Sequence, residues 1–275
     1  MTMRIALTIA GSDSGGGAGI QADLKTFHQF GVYGTSVVTA ITAQNTVGVR
    51  AVHDIPHAIV TAQFDSLAQD LPPVAVKSGM LSSAELVSVV AIAIRTYRWP
   101  NYVLDPVMVA SSGDRLLRPE AESTVRNSLV PLARVVTPNL DEAAILCGFS
   151  VRDEAGMAKA GAYLLGLGAG AALIKGGHLP GDELVDLLVT SEATHRFPHR
   201  RIATTSTHGT GCTLSAAITA CLALGLSIEG AVTMALDYLH RAIASAPGLG
   251  AGHGPVNHAI PAMTPSISLP TRSPA

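Results

Sequence analysis

Short apolar segments recur along this 275-residue chain, and segments with helical periodicity lie between them. The apolar runs are residues 5–10, 36–43, 74–77, 102–104, 135–137 and 171–175. Several are continuously apolar, which is typical of parallel strands covered by helices on both faces. Helices are predicted at about 18–30, 57–70, 82–96, 119–130, 139–147 and 154–167. This alternation predicts an α/β fold of three layers, α/β/α, with a mostly parallel central sheet.

The C-terminal third departs from the alternation. Residues 184–190 and 194–198 predict a short hairpin at the edge of the sheet, and two Ala-rich helices follow at about 211–224 and 227–245. Because 48% of the residues are hydrophobic, the chain can bury one large core, and we expect a single domain over residues 1–260. Residues 261–275 are mostly Pro, Ser and Thr, so we expect a disordered tail.

Charge and cysteine content exclude several classes of partner. The net charge is −2 and Lys and Arg do not cluster, which argues against nucleic acid and favours a small-molecule ligand. The apolar run near the N-terminus is too short for a signal peptide, and no uninterrupted apolar segment reaches membrane-spanning length. The 3 cysteines lack metal-ligand spacing, so we expect a cytoplasmic protein.

Polar and Gly-rich motifs follow each predicted parallel strand. They lie at residues 11–19, 44–45, 77–80, 105–107, 137–142 and 175–178. Any one of them could simply cap a helix, but ligands of such folds bind outside the carboxyl ends of the strands. We therefore expect these motifs to meet in one site.

The Gly-rich run 11–19 fits neither common nucleotide motif. It lacks the Lys-Ser/Thr pair of a P-loop, and Ile20 interrupts a G-x-G-x-x-G match that would begin at Gly15. Its glycines either let the backbone approach a flat substrate or form a tight strand-to-helix turn.

The run 207–215 (THGTGCTLS) predicts an anion site with a thiol at a helix N-terminus. Glycines at 209 and 211 let backbone N–H groups converge on a ligand, and Cys212 falls in the first helical turn. A Gly turn with Cys212 as a small core residue is the alternative interpretation.

Taken together, these motifs closely resemble the hydroxymethylpyrimidine/phosphomethylpyrimidine kinase family of thiamine biosynthesis, from about residue 6 to residue 258. The segments that carry the resemblance are residues 10–27, 42–45, 76–80, 105–107 and 208–212. The resemblance implies a ribokinase-like kinase domain that transfers the ATP γ-phosphoryl group to 4-amino-5-hydroxymethyl-2-methylpyrimidine, and then phosphorylates the monophosphate. It also implies ATP as phosphoryl donor, Mg²⁺ and a homodimer.

The resemblance assigns roles residue by residue. Gln44 would read the aminopyrimidine edge, since an amide both donates and accepts hydrogen bonds. Other pyrimidine-site candidates are Gly11, Ala18, Met80, Val107 and Asp23; for Asp23 the alternative is an exposed helix carboxylate. On the nucleotide side it implies Asp105, Asn139, Lys175 and Gly177, with Glu142 and Asp105 near Mg²⁺.

The catalytic group implied by the resemblance is Gly209, Thr210, Gly211 and Cys212. Backbone N–H groups would bind the transferred phosphoryl, and the thiol stands where many relatives carry an Asp base. A helix N-terminus lowers a thiol pKa, which makes a thiolate base feasible. We also hypothesise that a thiol, unlike Asp, can stay neutral beside the phosphate of the second substrate.

Three other functions stay open at this stage. A pyridoxal kinase would act on a similar hydroxymethyl group on a flat ring. A sugar kinase fits less well, because Asp is absent at the base position and Gln44 suits an aminopyrimidine. A non-catalytic binding protein would retain the fold without ATP turnover.

Overall fold

A computed structural model describes residues 3–108 and 116–262 of the chain. Nine strands form one sheet in the order β3-β2-β1-β4-β5-β6-β7-β8-β9. The strands are β1 (Ile5–Asp13), β2 (Tyr33–Asn45), β3 (Gly48–Asp54), β4 (Ala75–Ser78), β5 (Tyr102–Leu104), β6 (Val135–Val136), β7 (Ala171–Ile174), β8 (Glu183–Thr190) and β9 (Thr194–Arg200). Neighbours from β2 to β7 pair in parallel, whereas β3, β8 and β9 pair antiparallel. The predicted parallel centre and the edge hairpin are confirmed.

Helices cover both faces of this sheet. They are α1 (Gly19–Gln29), α2 (His57–Asp70), α3 (Ala84–Tyr97), α4 (Glu122–Thr124), α5 (Leu140–Cys147), α6 (Glu154–Gly166), α7 (Thr210–Ala223) and α8 (Ile228–Ala244). Buried residues of α2, α3, α5 and α6 form one core, and those of α1, α7 and α8 form another on the opposite face. The predicted three-layer α/β/α fold is therefore confirmed.

The prediction of one helix at 119–130 is wrong. The segment is a series of short turns: a 3-10 turn at Pro119–Ala121, α4, a π-turn at Val125–Leu129 and a second 3-10 turn at Val130–Leu132. Proline has no N–H to donate, so Pro119 and Pro131 restrict regular helix to the residues between them.

The antiparallel strand β3 was not predicted. None of its 7 residues is buried, so its sequence carries no apolar pattern that would distinguish it from a loop. β2 also extends beyond the predicted 36–43, to Asn45. Its hairpin with β3 extends the sheet beside the start of the Gly-rich loop.

The polar motifs meet at one edge of the sheet. β1, β4, β5, β6 and β7 end there, and α1 and α7 begin there. Among the described residues no helix is long and apolar enough to cross a membrane. The predicted tail 261–275 lies outside the described residues except for its first two positions.

Candidate active site

A cavity of about 680 Å³ opens at this edge. Fourteen of the fifteen predicted site residues line it: Gly11, Ala18, Gln44, Met80, Asp105, Val107, Asn139, Glu142, Lys175, Gly177, Gly209, Thr210, Gly211 and Cys212. The remaining residue, Asp23, lies beneath it. Motifs that are far apart in the sequence are thus brought together around one volume.

Asp13, at the end of β1, organises the Gly-rich loop. Its Oδ1 accepts the N–H of Gly15 at 2.8 Å, and its Oδ2 accepts those of Gly17 at 3.0 Å and Ala18 at 2.8 Å. His208 Nε2 lies 2.8 Å from the same Oδ2. Burial opposes ionisation, but these hydrogen bonds hold the pKa of Asp13 below its usual value.

The Gly-rich loop and the anion loop (residues 207–212) interlock at two glycines. A Cβ on Gly209, whose φ is +79°, would lie 1.8 Å from the carbonyl oxygen of Gly17. A Cβ on Gly17 would lie 2.5 Å from the His208 ring. Only glycine fits at these two contacts, so the loops cannot approach each other in this way with any other residue.

Sequence reasoning missed both Asp13 and His208 as site residues. The available signals were an Asp at a strand end followed by glycines, and a His directly before the anion loop. Because the two residues are 195 positions apart, nothing local in the sequence pairs them.

One wall of the cavity is suited to a flat ring. Gly11 brings its backbone against Met80, since a Cβ there would lie 3.1 Å from the Met80 sulfur. The Gln44 backbone is held by Ser14, whose Oγ donates to the Gln44 carbonyl at 2.7 Å and accepts its N–H at 2.8 Å. Thr42 Oγ1 lies 3.1 Å from Gln44 Oε1, which orients the side-chain amide.

Asp23 forms a buried ion pair below this wall. Its Oδ1 lies 2.8 Å from Lys77 Nζ, both side chains are 0% exposed, and Thr8 donates to Oδ2 at 2.5 Å. Burial disfavours the ammonium, but Asp23 raises the pKa of Lys77 above its usual value. The alternative of an exposed helix carboxylate is wrong. Asp23 thus lies beneath the cavity and not on its surface, paired with Lys77.

A second group of charges forms the opposite wall. Lys175 Nζ lies 3.4 Å from Asp105 Oδ1 and 3.7 Å from Glu142 Oε2. The Ser215 hydroxyl donates to Asp105 Oδ2 at 3.1 Å. Burial opposes the charge on Lys175, yet Asp105 and Glu142 raise the pKa of Lys175. A lysine at a strand end could equally be a solvated charge, but Lys175 sits between two buried carboxylates.

Asn139 and Glu142 form a capping box at the start of α5. Asn139 Oδ1 accepts the N–H of Glu142 at 2.9 Å, and Glu142 Oε2 accepts that of Asn139 at 2.8 Å. Burial raises the pKa of Glu142 to about 7, despite the nearby Lys175. The pair therefore has a structural role in addition to any ligand role.

Two buried carboxylates that converge on one cation fit Mg²⁺, which prefers oxygen ligands. Here Asp105 and Glu142 already share the ammonium of Lys175. A Cβ on Gly211 would lie 3.4 Å from that ammonium and 3.8 Å from Asp105, so Gly211 leaves this cluster open towards α7.

Cys212 lies where two helices begin. The N-terminus of α7 leaves the N–H groups of Gly211 and Cys212 without intrahelical acceptors, and the thiol sulfur accepts the N–H of Gly19 at the start of α1. Burial nevertheless raises the pKa of Cys212 to about 12, against the attraction of Lys77. The expectation that the helix N-terminus lowers this pKa is wrong, because the effect of burial is larger. The thiol is protonated at neutral pH.

A family model and a relative of known family identify the family of this chain. The model of the phosphomethylpyrimidine kinase family matches residues 13–257. A hydroxymethylpyrimidine/phosphomethylpyrimidine kinase of Rhizobium meliloti (strain 1021) is 54% identical over 257 residues, which are 92% of this chain and 96% of that protein.

Two solved structures are similar along most of their length. The crystal structure of phosphomethylpyrimidine kinase from Clostridium difficile 630 is 45% identical, with a TM-score of 0.79, and the match covers 87% of this chain and 99% of that one. The pyridoxal kinase from Staphylococcus aureus, in complex with AMP-PCP and pyridoxal, is 33% identical, with a TM-score of 0.87 and 94% of each chain covered.

Proposed function

The chain belongs to the phosphomethylpyrimidine kinase family, which phosphorylates hydroxymethylpyrimidine and its monophosphate in thiamine biosynthesis. We propose that both phosphoryl transfers take place in its cavity, in the following way. One observation carries the proposal. The ring-binding wall, the carboxylate-lysine cluster and the N-terminus of α7 all face the same 680 Å³ cavity. A hydroxymethyl group and a triphosphate can therefore meet within it.

The pyrimidine lies against the wall of Gly11, Ala18 and Met80, with Val107 on its border. Gln44 recognises the aminopyrimidine edge, because its amide supplies a donor and an acceptor side by side. Its orientation is set by Thr42, and its backbone by Ser14. Asp23 fixes the Lys77 ammonium below this wall through their buried ion pair.

The transferred phosphoryl group binds the anion loop. Backbone N–H groups of Gly209, Thr210, Gly211 and Cys212 are the candidates, and the Thr210 N–H already has a long bond of 3.3 Å to Thr207. N–H groups at a helix N-terminus favour an anion and stabilise charge that develops during transfer. The interlocked glycines fix this loop against the pyrimidine wall.

ATP binds along Asn139, Lys175 and Gly177, with Asp105 and Glu142 holding Mg²⁺. When bound, Mg²⁺ neutralises charge on the triphosphate. Lys175 adds a positive charge between the same carboxylates and orients a phosphate oxygen. Ser215 and Asn139 position Asp105 and Glu142, so neither acid depends on the nucleotide for its placement.

Cys212 contacts the hydroxymethyl group as a neutral thiol. With a pKa of about 12 it is not a base in the unliganded site, whereas a carboxylate there would repel the phosphate of the second substrate. The thiol thus allows one pocket to accept a neutral alcohol first and an anionic phosphate later.

Cys212→Ala and Cys212→Asp test this role in separate assays of the two half-reactions. We expect Cys212→Ala to slow the first step by less than the ~10²-fold or more that loss of a general base costs. Cys212→Asp should impair the second step more than the first. Equal losses in both steps for Cys212→Asp, or a base-sized loss in Cys212→Ala, would refute it. Cys221→Ala is the matched control, since Cys221 is buried on the same helix away from the cavity.

Pyridoxal phosphorylation is a second candidate activity. The similarity to the Staphylococcus aureus pyridoxal kinase over 94% of the chain favours it. A side-by-side assay with ATP and Mg²⁺, scoring pyridoxal, hydroxymethylpyrimidine and its monophosphate, decides between them. Failure to turn over ATP with any of the three would support a non-catalytic binding protein instead.

We further infer a homodimer in the cytoplasm. The hairpin of β2 and β3 exposes Ile41, Val47 and Val52 at 52%, 68% and 46%, an apolar surface that a second copy would cover. The cysteines 147, 212 and 221 are free thiols, as expected in a reducing compartment. Light scattering on Val47→Glu against the native protein tests the dimer, because a charge there should produce monomers.

A further inference from the structure

The cavity has a second cluster of potential ligand atoms beyond Lys175. Asp186 on β8, His199 on β9 and His240 on α8 all line it. One ligand atom from each lies within 4.8 Å of the other two. Neither the sequence patterns nor the proposed phosphoryl transfer uses these residues.

The hairpin fixes two members of this cluster on one face. Asp186 pairs with Phe197 and Leu184 pairs with His199, so Asp186 and His199 are diagonal neighbours. His240 on α8 has its ring 4.5 Å from the His199 ring, centroid to centroid. The cluster therefore rests on regular elements rather than on a loop.

The carboxylate of Asp186 is buried, and its charge is only partly balanced. The side chain is 7% exposed, and Oδ1 accepts the N–H of Gly176 at 2.7 Å. Oδ2 lies 3.8 Å from His199 Nδ1, which is beyond hydrogen-bond distance. Asp186 lines the cavity, so this second oxygen is available to a cation that binds there.

The donor set matches a particular class of cation. Two imidazoles and one carboxylate suit zinc-type ions, whereas Mg²⁺ prefers oxygen ligands alone. Ligands of a tetrahedral zinc, each at about 2.0–2.1 Å from the ion, lie roughly 3.4 Å apart. Atoms already within 4.8 Å reach that geometry by small side-chain rotations.

Hydrogen bonds to the backbone pre-orient two of the ligands. Gly176 holds Asp186, and His199 Nδ1 lies 3.2 Å from the carbonyl oxygen of Phe197. Nδ1 is also the ring nitrogen that faces Asp186, so the contact with the Phe197 carbonyl keeps the His199 ring turned towards the cluster.

We propose that Asp186, His199 and His240 form a binding site for a zinc-type divalent cation, separate from the Asp105 and Glu142 carboxylates. Three protein ligands leave a fourth position open to the cavity, where water or an anion can bind. Cation binding here does not require the proposed kinase activity. None of the three ligands belongs to the wall formed by Gly11, Ala18 and Met80 or to the anion loop.

The test is titration of the chelator-treated full chain with Co²⁺, and then Zn²⁺, without nucleotide or Mg²⁺. Calorimetry gives the stoichiometry, and the visible Co²⁺ spectrum gives the geometry. A site of nitrogen and oxygen ligands lacks the near-ultraviolet charge-transfer band of a thiolate, which separates it from binding at Cys212. His199→Gln and His240→Gln remove one ligand each. Asp186→Asn retains an acceptor for Gly176 and removes the charge.

We expect one equivalent of tetrahedral Co²⁺ in the native chain. Each ligand variant should weaken binding by more than the ~10- to 100-fold that loss of an outer partner costs. His195→Gln, on the same strand and paired with Glu229 at 3.2 Å, should bind as the native chain does. The proposal is overturned if the native chain does not bind Co²⁺, or if its Co²⁺ spectrum shows a thiolate band. It is also overturned if the His199 and His240 variants bind Co²⁺ as tightly as the native chain does. Kinase assays play no part in either outcome.

Discussion

Replacing Asp13 with Asn should destabilise the protein far more than its single lost charge suggests. The carboxylate accepts three backbone N–H groups, and His208 Nε2 lies 2.8 Å away, within a site where Asp13 is 3% exposed. An amide has one acceptor oxygen. If the amide oxygen takes the Oδ2 position, it keeps the contacts with Gly17, Ala18 and His208. The NH₂ group then faces the Gly15 N–H, which loses its acceptor.

The magnitude follows from these contacts. A hydrogen bond to a charged group contributes about 1.5–3 kcal/mol and a neutral one about 0.5–1.5, so the three retained bonds each weaken by roughly 1 kcal/mol. The unsatisfied Gly15 N–H adds about 1–3 kcal/mol, so Asp13→Asn should lower the free energy of unfolding by about 4–6 kcal/mol in total. That is a large share of the roughly 5–15 kcal/mol expected for a folded domain.

Urea unfolding at pH 7 measures this difference. Asp141→Asn is the control, because Asp141 is 59% exposed and pairs with an Arg152 that is 68% exposed, and such pairs contribute about 0–1 kcal/mol. The pKa of Asp13 is lowered, so its contribution is complete above the ordinary value of 3.8 and is lost as pH falls through the lower folded value. The gap between native and variant should persist from pH 7 to pH 5. A cost below about 1 kcal/mol, or a gap that shrinks over that range, would refute the reasoning.

Three further predictions concern the walls of the cavity. Lys77→Met should lower the free energy of unfolding, measured by thermal unfolding, by about 3–5 kcal/mol, because Asp23 is left buried without its partner. Adding Asp23→Asn should restore stability, and a failure to do so would show that the pair is not coupled. Gln44→Glu should raise the KM for hydroxymethylpyrimidine by about 10- to 100-fold with a smaller change in kcat, since a carboxylate cannot donate to the ring; an unchanged KM would remove Gln44 from recognition. Iodoacetamide should label Cys212 more slowly than free cysteine at pH 7.5, because burial raises the pKa of Cys212 to about 12. Mass spectrometry measures the labelling rate, and a rate that levels off near pH 8 would contradict this prediction.

The sequence was sufficient for the parallel centre of the fold. Continuous apolar runs such as residues 102–104 and 171–175 are buried on both faces, so their pattern directly reflects their environment. β3 has no buried residue, and the 119–132 segment changes helix type around its prolines. Exposure and local backbone restriction weaken the pattern from which elements are predicted.

The same contrast holds for the site. Strand-end position was enough to gather Gln44, Lys175 and Cys212, because topology alone brings strand ends together. The pairing of Asp23 with Lys77 depends on which face of α1 meets the sheet, and the pKa of Cys212 depends on burial. Such properties arise from packing between distant segments, which no local motif records.

The contact between Asp13 and His208 also has a consequence for the order in which the protein acquires its site. Synthesis supplies Asp13 almost at once, whereas its partner arrives 195 residues later, together with the glycine that fits against Gly17. Until then the Asp13 carboxylate lacks one of its four hydrogen-bond partners. A nascent chain can therefore build much of the sheet and still lack the junction of the two loops, so the cavity is complete only when folding is nearly finished.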